Sequence, residues 1–120
     1  MKYLLLIYDN AQSRELFTGP DGAPLMAEME ALMAELTASG ELVAGEALAD
    51  PSTTVTVRPV DGLATATDGP YAEAKEHLGG YLMVDCETRE RAVEIARRWP
   101  SARFTPVEVR ALMDTSGSEM

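Results

Sequence analysis

One cysteine and one histidine are all that this 120-residue chain offers of the two side chains most used for soft-metal ligation. With Cys86 alone, no intrachain disulfide and no cysteine-rich metal centre can be built. A metal site would have to combine His77 with Glu73 or Asp68 and a third ligand from elsewhere, so no metal or other cofactor is expected. Positive charge is scarce as well. Ten Lys plus Arg stand against 20 Asp plus Glu, a formal net charge of -10. That field repels phosphate backbones and anionic lipid, which excludes nucleic acid and membrane surfaces as expected partners. Long apolar runs are missing too: Tyr3-Leu4-Leu5-Leu6-Ile7-Tyr8 stops at Asp9, too short for a signal-peptide core and far below the roughly 20 apolar residues that span a bilayer. No nucleophile elbow, phosphate loop or dinucleotide fingerprint occurs, and Gly79-Gly80 lacks the spacing and context of one. A lone thiol and no export pattern suit a reduced, cytoplasmic compartment.

What is present is an ordinary globular composition, 46% hydrophobic. Its length fits one domain, expected over residues 1–112 with a flexible tail at 113–120. The run from Lys2 to Tyr8 reads as a strand buried on both faces or close to a subunit interface. Asp9 to Ala23, with Gly19, Pro20, Asp21 and Gly22, reads as a loop, and Pro24 suits the first turn of a helix. In that helix Met26, Met29, Leu32, Met33 and Leu36 recur at helical spacing until Gly40. Glu41 to Leu48 reads as a strand. Thr53 to Arg58 and Leu63 to Thr67 form a hairpin about Asp61-Gly62, which supplies the positive φ of a tight turn. Gly80 to Cys86 is a further strand. Thr88 caps a second helix whose apolar stripe is Ala92, Val93, Ile95, Ala96 and Trp99, and Phe104 to Leu112 closes the chain as a strand. The order predicts an α+β, ferredoxin-like split βαβ sheet with both helices on one face and an extra β-hairpin. The other face needs cover, and two copies stacking their sheets into a dimeric α+β barrel would supply it.

The chemistry-bearing residues concentrate in Thr67 to Tyr81, TDGPYAEAKEHLGGY. Asp68-Gly69-Pro70 initiates a turn, Ala72 to Glu76 are helix formers, and Gly79 is a suitable stop, so the spacing predicts a short capped helix. On it Glu73 and His77 lie one turn apart, where the carboxylate favours the imidazolium. Asp68 is a candidate general base. Lys75, Arg58 and the free N–H groups after Gly69 are candidates for holding an acidic ligand or a developing enolate. The same residues would also make a plain connector with an apolar anchor and a solvated charged face. Cys86, between Asp85 and Glu87, reads as a passive core thiol.

The run Asp68-Gly69-Pro70-Tyr71-Ala72-Glu73-Ala74-Lys75-Glu76, followed by Leu78-Gly79-Gly80-Tyr81, resembles the signature of the YCII-related proteins of the DGPF type. Met1 to Tyr8, Gly45-Glu46-Ala47-Leu48 and Val107-Glu108-Val109-Arg110 resemble that family in the same order. The resemblance implies a ferredoxin-like fold paired into an α+β barrel, with Asp68, Gly69, Pro70, Tyr71, Glu73, Lys75, Glu76 and Gly80 as the motif and Glu46 and Tyr8 as cleft companions. It also implies small bacterial proteins, some with a His-Asp pair in a cleft and some found beside sigma factors. The first helix of this chain has no histidine for such a pair, and His77 falls where the signature is open. The expectation is a homodimer with a cleft for a small polar or aromatic acid. Asp68 would act as acid or base with Glu76 or Glu46 as partner, Lys75 would stabilise an anion, Tyr71 would form a wall, and His77 would contribute optionally. The alternative is a non-catalytic ligand-sensing or partner-binding module associated with a sigma factor.

Overall fold

The computed structural model describes residues 1–71 and 75–114. Six strands and three helices follow in the order β1 (Lys2–Asp9), α1 (Ala11–Thr18), α2 (Gly22–Ser39), β2 (Leu42–Ala47), β3 (Val55–Val60), β4 (Leu63–Asp68), β5 (His77–Asp85), α3 (Arg89–Arg98) and β6 (Val107–Ala111). Single 3-10 turns at Pro51–Thr53 and Pro100–Arg103 fill two of the connections. Strands β2, β5, β1 and β6 form one antiparallel sheet in that order, and β3 pairs only with β4. The four-stranded order and the intervening helices match the ferredoxin-like α+β expectation.

Alternation along the strands decides which residues reach the core. Tyr3 and Leu5 of β1 and Leu82 and Val84 of β5 point to the same face and are buried. Against them pack Leu32 and Leu36 of α2 and Ala92, Ile95 and Ala96 of α3, with Trp99 just beyond. Full burial of side chains of this size contributes about 1.5–3 kcal/mol each. The helix ends are capped as their residues dictate: Gly40 takes φ 80° after α2, and the Thr88 hydroxyl accepts the Arg91 N–H at 3.1 Å ahead of α3. Arg91 then grips Glu41 at the start of β2 with two bonds of 2.8 and 2.9 Å. That fork holds the Glu41 carboxyl down at about 2.

The opposite face carries Leu4 and Leu6 of β1 and, by register, Tyr81 and Met83 of β5. Both α2 and α3 pack on the other side. Among the described residues, no helix is long and apolar enough to cross a membrane.

Three local outcomes differ from the sequence expectation. The segment after Asp9, expected as loop, contains α1. Asn10 Oδ1 accepts the Ser13 N–H at 2.8 Å while Ser13 Oγ accepts the Asn10 N–H at 3.0 Å, a capping box built without the usual Glu or Gln. Helix α2 begins at Gly22, two residues before Pro24, because that glycine packs onto the Phe17 carbonyl where a Cβ could not fit. His77, Leu78 and Gly79, expected to end a short helix, belong instead to β5, where pairing with Tyr8 and Asp9 overrides local helix preference. Lys75 and Glu76 of that expected helix form a bend, residues 72–74 lie outside the described residues, and so does most of the expected tail.

The β3–β4 hairpin turns through Asp61 at φ 51° and Gly62 at φ 80°, the two positive φ values of a type I′ turn. Its Val55, Val57 and Leu63 are largely exposed.

Candidate functional site

Between the sheet and helices α1 and α2 lies a pocket of about 480 Å³, within the usual range for a small-molecule site. Its walls are mostly apolar: Ile7 and Leu82 from the sheet, Met26, Met29 and Met33 from α2, Phe17 from α1, and Trp99. The methionines that gave α2 its stripe thus form an adaptable surface against open space.

Polar groups enter this wall from one end of β1. Asp9 follows Ile7 by two residues and so faces the same side; Arg14 lies on the first turn and a half of α1 and reaches back to it. Arg14 Nε stands 3.1 Å from Asp9 Oδ2, with the two side chains 32% and 22% exposed. The Nε–H is not aligned on that carboxylate, so the pair is electrostatic, and Nε is sealed from water with no hydrogen-bond partner among the described residues. The other guanidinium nitrogens reach the Leu48 carbonyl at 3.4 Å and Asp50 at 3.8 Å. The Asp50 carboxyl is held below its usual range, first by the Ser52 N–H and hydroxyl, with smaller contributions from the charges of Arg14 and His77.

A β-bulge makes this arrangement possible. Ile7 pairs with Gly80 and Tyr8 with Leu78, leaving Gly79 as the extra residue of β5. A Cβ on Gly79 would overlap the Asp9 carboxylate, and a Cβ on Gly80 would press within 2.8 Å of the Glu46 carbonyl. The Gly79 carbonyl accepts the Leu48 N–H at 2.8 Å, drawing the end of β2 over the pocket. The glycine pair is therefore a close-packing device for the carboxylate beside it.

The residues singled out from sequence divide into two groups. Tyr8, Glu46 and Gly80 border the pocket, although the Tyr8 phenol turns away to donate to Glu108 Oε1 at 2.5 Å. That hydrogen bond, aided by burial and the Glu108 charge, raises the Tyr8 pKa. His77 opens β5 directly across from Asp9, which brings the single imidazole to the Asp9, Arg14 and Asp50 cluster. The second group lies apart. Asp68 ends β4 and is exposed, as are Tyr71 and Lys75; Glu76 and Arg58 are half-buried, and none of these borders the pocket. Gly69 takes φ 97°, donates to the Thr54 carbonyl at 2.7 Å and accepts from the Thr56 hydroxyl at 2.6 Å, which fastens the hairpin base. The Arg58 guanidinium lies 5.8 Å from the Tyr71 ring centroid. Glu73 lies outside the described residues. Cys86 is buried, and burial above all raises its thiol pKa. Among the described residues, no three His, Cys, Asp or Glu side chains are placed to hold a metal ion.

Asp9, Arg14 and Ser101 were not singled out from sequence. One signal was available: Arg14 is the only cation between Lys2 and Arg58, in a chain short of positive charge. The contact that gives it meaning depends on α1, which the loop expectation omitted.

Comparison with known proteins adds three findings. Over 81% of this chain and 78% of the relative's length, 97 residues are 27% identical to the uncharacterized protein R00369 of Rhizobium meliloti (strain 1021). The fold resembles that of a 5-chloro-2-hydroxyhydroquinone dehydrochlorinase from Burkholderia phenoliruptrix AC1100, solved with 2,5-dihydroxybenzoquinone. The TM-score is 0.56, at 15% identity, over 99% of this chain and 100% of that one. At that identity the likeness concerns the fold. The YCII-related domain matches residues 1–116, and the chain therefore belongs to the YCII-related family.

Proposed function

We propose that this protein binds a small, largely apolar acid in the pocket between α2 and the sheet and moves a proton on it. Arg14 takes the anionic group, and Asp9 acts as the base. The observation that carries the reading is the half-buried Asp9–Arg14 pair on an apolar wall. In the empty pocket Arg14 compensates the Asp9 charge. An incoming anion competes for that guanidinium, which leaves the Asp9 carboxylate beside the bound substrate to take its proton. His77, across the strand from Asp9, is placed to pass the proton on to solvent. In this reading Asp68 and Gly69 belong to the base of the hairpin rather than to the reacting group.

The reading includes pairing of two copies through the open sheet face. Leu4, Leu6, Tyr81 and Met83 form an apolar centre there, with Glu108 and Arg110 beside it. A Met83→Glu variant that remains dimeric by light scattering would count against that pairing.

Proton transfer is tested by incubating the protein in D2O with one- and two-ring carboxylic acids bearing an acidic C–H and following deuterium incorporation by NMR. The wild type is expected to catalyse exchange at one position of at least one acid, and Asp9→Asn to lower the rate by about 100-fold or more. Equal exchange by both would remove Asp9 from the role.

A further inference from the structure

Beyond the ion pair, one polar group at this pocket has no structural use. Ser101 lies in the 3-10 turn after α3, is 6% exposed, and borders the pocket beside Trp99. Its carbonyl is fully occupied, accepting the Phe104 and Thr105 N–H groups, both at 2.9 Å. Its hydroxyl oxygen is sealed from water and has no hydrogen-bond partner among the described residues. A hydroxyl buried in this way is destabilising, and alanine would fill the same space without that penalty.

We infer that Ser101 is a specificity contact, and that the ligand is a ring acid carrying a second oxygen, a phenol, enol or ring carbonyl, which takes up the Ser101 hydroxyl while Arg14 holds the acid group. The inference rests on the reading of this pocket as the site of a small acid. It narrows that class to oxygenated ring acids over their hydrocarbon parents. The apolar walls of Met29, Met33, Leu82 and Trp99 suit the ring, and Arg14 and Ser101 border the same space; because the Ser101 hydroxyl is sealed while the pocket is empty, a ligand oxygen reaches it through rotation about χ1. A site built to hydrogen-bond a ligand oxygen rejects the analogue lacking it more strongly than an apolar pocket rejects a missing methylene.

Calorimetric titration of wild type, Ser101→Ala and Arg14→Leu with 2-naphthoic acid and its series of single-hydroxyl derivatives tests this. The wild type is expected to bind at least one derivative about tenfold more tightly than the parent acid. Ser101→Ala should reduce that ratio to near one while leaving the parent's affinity unchanged. Without ligand, Ser101→Ala should melt about 3–5 °C higher, because it removes an unpaired buried hydroxyl. Ser101→Cys, close in size and a weak donor, provides a second variant and should lose most of the preference. If no derivative is preferred, or the preference survives both variants while Arg14→Leu weakens every acid, the Ser101 assignment falls and the pocket stands. If the wild type binds none of the series, or Arg14→Leu leaves the parent's affinity unchanged, the pocket reading falls and takes this inference with it.

Discussion

The β3–β4 hairpin and the β1–β5 ladder are both antiparallel pairs, yet they do different work. The hairpin carries Arg58 and ends in Asp68, two of the residues that look reactive in sequence, and its apolar side chains Val55, Val57 and Leu63 stand in solvent. The ladder carries plain aliphatic residues, and its far end gathers Asp9, Arg14 and His77 beside an apolar pocket. Density of polar residues along the chain did not mark the place where polar groups meet an enclosed space. A carboxylate is chemically useful where water is limited and a counter-charge is near, and only the packed layer provides both.

Stability should show the contrast most strongly. Leu36 is fully buried and Val57 is 65% exposed, so Leu36→Ala should cost about 3 kcal/mol in denaturant unfolding and Val57→Ala less than about 0.5 kcal/mol. Comparable losses would mean that the hairpin is packed against something in solution.

A second test uses acid. Glu41 is held at about 2 by Arg91, below its unfolded value. Its contribution is therefore complete above the ordinary glutamate range and drains away as pH falls toward 2. Glu41→Gln should remove about 2 kcal/mol at neutral pH and flatten the stability curve below about pH 4.5. Asp68, at the end of β4, is exposed, so Asp68→Asn should leave that curve unchanged.

Gly79→Ala sharpens the comparison at the site. The added methyl displaces the Asp9 carboxylate, which should cost about 1 kcal/mol of stability but lower proton exchange on the substrate by roughly tenfold or more. The smallest effects belong to the motif: Asp68→Ala and Lys75→Ala should each change stability by less than about 0.5 kcal/mol, since both side chains are exposed.

The layered fold was legible because strand alternation and the helical stripes of Met29, Leu32, Leu36 and of Ala92, Ile95, Trp99 depend on burial, which sequence pattern records directly. The site was legible only in part. Tyr8, Glu46, His77 and Gly80 were named, but Asp9 and Arg14 became partners only through α1, whose cap uses Ser13 where the common pattern has Glu or Gln. Tertiary pairing also changed the meaning of Gly79. As a helix stop it would have been ordinary punctuation; as a bulge it is the point on which the Asp9 carboxylate rests.

The central claim is that Arg14, not the motif around Asp68, holds the ligand's acid group. Titrating 2-naphthoic acid into wild type, Arg14→Leu and Asp68→Ala by calorimetry tests it most directly. The account predicts a loss of at least about tenfold in affinity for Arg14→Leu, worth about 1.4 kcal/mol, and no change for Asp68→Ala. Undiminished binding by Arg14→Leu together with loss in Asp68→Ala would contradict it and return the site to the hairpin.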